Sequence, residues 1–194
     1  SIFPVFNSEF SVPSALFITF PFILIVLSFY SYQAYKDTQR KQLANKYNAA
    51  IIQYGNGDKS SIIKSMIEII EDKDSTYSPL GLYFLIDNDL IDNKEEANNF
   101  FDTLIDKTNL EKEIKNLIIY KKALYNSDFV EENQLLQILN PIINSESIWK
   151  SHALYLIAEF FFSNNEKQKA KEFYQKILIL PNSNKEIIRE TKKR

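Results

Sequence analysis

His152 is the only histidine in the 194-residue chain, and there is no cysteine. The side chains that most often serve as general base, nucleophile or zinc ligand near neutral pH are therefore almost absent. A zinc site would need several carboxylates converging on His152, and a catalytic triad would have no spare imidazole. His152 follows Trp149 by three residues on one expected helix, so its predicted role is structural, packed near that indole. Glu71, Asp72 and Asp74 stand close together in sequence. They lack the alternating ligands and the glycine of a calcium loop and read as a solvated helix end. No phosphate-binding glycine loop and no nucleophile elbow occurs. These spacings predict no catalytic residue, no metal and no cofactor; an enzyme would need a site of carboxylates, tyrosines and lysines alone.

The densest aromatic group is Trp149, Tyr155, Phe160, Phe161 and Phe162. Stacked helical hairpins curve and leave their first helices along a concave face, where such a group could bind peptide segments. Core packing is the competing account for most of it. Three successive phenylalanines are spread around a helix by 100° per residue, so at least one must face a neighbouring hairpin or a partner. Tyr155, Phe160 and Phe162 are the candidate protein-binding residues.

The elements that carry these residues are predicted to be helices. Only three glycines occur, at 55, 57 and 81, too few for the tight turns of a sandwich or barrel. The hydrophobic share of 45% and charged share of 25% are ordinary for a folded domain. A net charge of −2 from 23 basic and 25 acidic interspersed residues gives no footprint for a polyanion, which argues against a nucleic-acid partner.

Beyond Lys36 the chain divides into pairs: 36–54 with 59–71, 79–91 with 94–106, 110–126 with 131–142, and 146–163 with 166–179, with a further start at Asn184. The capping signals are Asp58, Ser78 before Pro79, Asn93 with Glu96, Thr108 with Glu111, and Asn165 with Gln168. Between them run helical-period stripes such as Ile62, Ile63, Met66, Ile69 and Ile70. The last pair fits a 34-residue tetratricopeptide pattern. Ala158 and Ala170 take the small positions where two backbones approach, Phe161 and Tyr174 fill the flanking space, and Trp149 opens the unit. Pro181 closes it one residue early, and Ala97 with Phe101 repeats the second-helix half of the pattern.

From Phe10 to Tyr35 no residue is charged, and Ala15 to Tyr30 is almost wholly apolar. A spanning helix needs about 20 such residues. Phe29, Tyr30, Tyr32 and Tyr35 sit where an interfacial aromatic belt would lie, and Pro21 is expected to kink the span. No basic residue precedes the run and no small-x-small site follows it, which favours an uncleaved anchor over a signal peptide. The resulting division is a flank at 1–13, a transmembrane helix at 14–35 and a helical domain at 36–194. Lys36, Arg40, Lys41 and Lys46 follow the span while only Glu9 precedes it. Taken alone, that bias leaves the domain in the cytoplasm.

The segment from Ser147 to Glu159, with Trp149, His152, Tyr155 and Ala158, followed by a helix built on Ala170 and Phe173, resembles the C-terminal hairpin of the YfgM-like family. The overall plan is similar as well. The resemblance implies an all-α protein: a single N-terminal transmembrane helix followed by a tetratricopeptide-like stack on the periplasmic side of a bacterial inner membrane. It also implies an ancillary role linking the SecYEG translocon to periplasmic chaperones, with translocon subunits, chaperones or nascent polypeptides as partners. The periplasmic side conflicts with the charge bias, and both sides stay open. A structural subunit of a larger inner-membrane complex is the alternative role.

Overall fold

A computed structural model describes residues 12–55, 57 and 59–194, with side chains from residue 20 onward. Among these residues all regular structure is helical: α1 (Val12–Gly55), α2 (Lys59–Glu71), α3 (Tyr77–Asp87), α4 (Lys94–Lys107), α5 (Lys112–Asn126), α6 (Glu132–Ile143), α7 (Lys150–Ser163), α8 (Lys167–Ile179) and α9 (Lys185–Thr191). The chain is all-α, as its scarcity of glycine predicts. The flank up to residue 11, the expected cap Asp58 and the side chains of residues 14–19, where the expected span begins, lie outside the described residues. Among the described residues no helix is long and apolar enough to cross a membrane.

The chain divides into two compact units, Ser1–Asn45 and Lys46–Arg194. In the first, the described structure is α1, which contains Pro21 and runs on without a break at residue 36. Nothing between Tyr35 and Tyr54 is a glycine or proline, so no residue there interrupts the hydrogen-bond ladder. In the second unit the last turns of α1 pack through aromatic contacts. Tyr47 lies 6.0 Å from Tyr77, Tyr54 meets Phe84 edge-on at 5.2 Å, and Lys46 pairs with Glu68 at 2.6 Å.

Apolar side chains of α2 to α8 fill the second unit. Ile62, Met66, Ile69 and Ile70 of α2 are buried, as are Leu82 and Leu85 of α3 and Ala97, Phe101 and Leu104 of α4. Ala123, Leu135, Leu139, Ile157, Ala158, Phe161, Ala170 and Ile177 belong to a core cluster across α5 to α8. α2 packs extensively on α3. Gly81 permits this approach. A Cβ built there would stand 3.3 Å from the Met66 carbonyl and 3.4 Å from Ile70 Cγ1, so a side chain would push the two helices apart.

Several expected caps are corrected. Ser78 does not cap α3: its hydroxyl is buried, donates to the Ile69 carbonyl at 2.6 Å and accepts from the Asp74 N–H at 2.8 Å. Asp74 does the capping instead, its Oδ1 accepting from the Thr76 and Tyr77 N–H groups. α3 then stops at Asp87 rather than 91, because Asp89 turns into the left-handed region (φ 51°) and Leu90 N–H closes onto the Leu85 carbonyl at 2.8 Å. Asn165 (φ 63°) terminates α7 in the same way, with Glu166 N–H bonded to the Phe161 carbonyl, and so does not start α8. Thr108 is the C-cap of α4, and Glu111 precedes α5 without a side-chain cap. Asn93 and Asn184 cap α4 and α9 as expected, each accepting from two backbone N–H groups.

Successive hairpins are joined by hydrogen bonds about one hairpin length apart in sequence. Lys112 to Glu146 and Ser147 to Glu113 are 34 residues apart, Asn184 to Ser151 is 33, Arg194 to Glu159 is 35 and Lys169 to Glu132 is 37. Along α5 and α7 the partners advance together, Asn116 with Ser147 and Tyr120 with His152, so these helices lie parallel. α7 and α9 repeat the relation, Ser151 meeting Asn184 and Glu159 meeting Arg194.

Candidate functional site

α5 and α7 bring Tyr120, Trp149 and His152 together, and the loop ahead of α7 positions them. Ser147 organises that loop: its hydroxyl donates to Glu113 Oε2 at 2.7 Å and accepts from Asn116 Nδ2 at 3.0 Å and from the Trp149 N–H at 3.1 Å. The Glu113 carboxylate also accepts from the Ile148 N–H, and the Glu113 carbonyl accepts the indole N–H at 3.1 Å. These bonds hold α7 to start at Lys150 rather than 146. Trp149 is thereby fixed on both its main chain and its indole.

Trp149 stacks on Tyr120 with centroids 5.9 Å apart and planes 19° from parallel, and His152 leans on both rings, 5.1 Å from the indole. His152 Nδ1 is buried without a well-formed hydrogen bond. Burial holds the imidazole below its ordinary range, while the poorly aligned Ile148 carbonyl and the Glu186 carboxylate pull the other way. Beside this cluster lies an open groove of about 530 Å³ at the loop end of the stack, lined by Glu113, Ser147, Ile148, Lys150, Leu180 and Pro181 among others. Ile148 is 69% exposed at its edge.

Of the candidate binding residues, Tyr155 and Phe160 are half-buried and Phe162 is 40% exposed. Tyr155 lies against Tyr174, 6.0 Å between rings, and Phe160 meets Phe161 edge-on. Arg194 stands 4.8 Å over the Phe162 ring while its guanidinium forks onto both oxygens of Glu159. The three phenylalanines thus take different environments, one in the core, one half-covered and one outward. Tyr155, Phe160 and Phe162 do not converge on the groove, nor do they line it.

The repeat positions lie where α7 and α8 meet. Ala158, Phe161 and Ala170 are buried at 1% exposure or less, and Phe161 stacks on Phe173 at 5.5 Å. Tyr174 donates to Glu159 Oε1 at 2.5 Å; burial first, and then that carboxylate, pushes its phenol well above the ordinary range. Among the described residues no group of histidines and carboxylates is placed to hold a metal ion. Glu113, Asn116, Tyr120 and Ser147 are the residues the sequence reading missed. Their signal was the 34-residue offset between Glu113 and Ser147, which becomes legible once one hairpin is set in register with the next.

This geometry defines a stack of helical hairpins with an aromatic and polar seam along its first helices. In comparisons with protein-family models, with curated proteins and with solved structures, nothing matches this chain.

Proposed function

We propose that the chain is a membrane-anchored, protein-binding scaffold. The observation that carries the reading is the exposure of α1. Phe20, Phe22, Ile25, Leu27, Phe29 and Tyr30 each leave more than half of their surface uncovered, on a helix whose apolar run continues N-terminally through Ala15 to Phe20. An unbroken apolar patch of this kind is costly in water and is normal in lipid. Residues 14–35 are the proposed span, with the tyrosines at its C-terminal end in the interfacial layer.

The proposed domain architecture is tetratricopeptide-like. Its support is the recurrence of inter-hairpin hydrogen bonds at separations of 33 to 37 residues and the parallel course of α5, α7 and α9, the arrangement in which each hairpin repeats the contacts of the one before. Such a stack presents surface for other polypeptides, and a membrane tether raises its local concentration so that weak contacts suffice. The YfgM-like resemblance of the Ser147–Glu159 segment supports translocon subunits and periplasmic chaperones as partners, with the domain on the periplasmic face of a bacterial inner membrane.

Affinity purification of the full chain from detergent extract tests the role. Substoichiometric capture of translocon subunits is the expected result; stoichiometric, salt-resistant assembly with other membrane proteins would make the chain a structural subunit instead. Protease added to intact spheroplasts tests the side. Degradation of the domain is expected, and protection would move it to the cytoplasm.

A further inference from the structure

We infer that the stripe Tyr32, Tyr35, Lys36, Gln39 and Arg40 of α1 is a docking surface for anionic phospholipid headgroups. This rests on reading the preceding apolar run as lying in lipid. The five residues recur at i, i+3, i+4, i+7 and i+8, so they share one face of the helix. Asp37, the one acidic residue nearby, stands three residues before Arg40 and so borders the stripe on that side, while Lys36 has Tyr32 and Arg40 as its neighbours one turn away. The direction of the side chains matters as much as their charge. In an α-helix the Cα–Cβ bonds lean toward the N-terminus. Basic residues just C-terminal to an apolar run therefore reach back toward the lipid, whereas the same residues ahead of the run would lean away from it. Two contacts carry this geometry. Lys36 Nζ lies over the Tyr32 ring, 5.7 Å from its centroid, and Gln39 Nε2 donates to the Tyr35 hydroxyl at 2.7 Å. Both polar tips are drawn to the level of the tyrosines, where a bilayer places its phosphates. The aromatic belt thus hands over to cations at headgroup depth, on one stripe, with an amide between them.

The full chain reconstituted into phosphatidylcholine vesicles, with a trace of spin-labelled phosphatidylcholine or spin-labelled phosphatidylglycerol, tests this. The motionally restricted fraction gives the relative association of the two lipids. Phosphatidylglycerol is expected to be favoured by ~5-fold for each basic residue engaged at low salt. The ratio should fall toward one at high salt and in the double variant Lys36→Gln/Arg40→Gln, and persist in Lys36→Arg. Vesicle flotation should be the same for every variant. Equal association of both lipids with a chain that floats overturns the headgroup surface alone; a chain that fails to float overturns the membrane reading as well.

Discussion

His152 sits where a small change of charge has a readable effect, because its ring is enclosed by Tyr120 and Trp149 and its Nδ1 has no well-formed bond. Its folded-state pKa lies below its ordinary value of 6.5, so the unfolded chain binds a proton more readily than the folded one. Stability should then be full above about pH 6.5 and decline as pH falls below it, and His152→Phe should remove that part of the decline. Thermal melts of parent and variant between pH 7.5 and pH 5, on the order of half a unit apart, check the sign; a steeper loss in the variant would contradict it. Ala170, 1% exposed between α7 and α8, gives a sharper test. Ala170→Asp buries a carboxylate without a partner and is expected to cost roughly 3 kcal/mol or more by urea denaturation. Gly81→Val should cost about 1–3 kcal/mol, since its Cβ alone already meets the Met66 carbonyl.

Helix pairs are held by apolar stripes, but their register is fixed by a few polar clasps. Asn98 on α4 and Asn126 on α5 exchange two amide hydrogen bonds, at 3.0 and 2.8 Å, with Asn126 only 6% exposed. Asn126→Ala leaves the Asn98 amide with one fewer partner and should cost about 1–3 kcal/mol. Adding Asn98→Ala should cost much less than the sum of the two single changes, a coupling that a double-mutant cycle reads directly. Additive costs would mean that the two amides do not act as a clasp. The helices themselves were legible, because stripes such as Ile62, Met66, Ile69 and Ile70 repeat at helical spacing. Their ends were less so. Asn, Ser, Thr and Asp serve both to start and to stop helices, and only backbone angle separates the roles. Asn165 and Asp89, both in the left-handed region, end their helices, whereas Asn93 and Asn184 open theirs. How closely α2 and α3 approach was hidden as well, because Gly81 signals nothing until Met66 lies opposite it.

For the whole molecule the aromatic seam was only half visible in sequence. Trp149 and His152 stood out by rarity, but Glu113, Asn116, Tyr120 and Ser147 are common residue types, and they acquire meaning only when hairpins stack about 34 residues apart. The proposed anchor depends most on α1, whose Phe20–Tyr35 segment is exposed and would lie in lipid, with the residues after it in water. With no native cysteine, single replacements report cleanly on that boundary. The most direct measurement is the rate at which a membrane-impermeant maleimide labels Ile25→Cys and Gln42→Cys in membranes opened to expose both faces. Rapid labelling at position 42 with none at 25 until detergent is added is the predicted result; equal labelling at both positions before detergent would contradict the account.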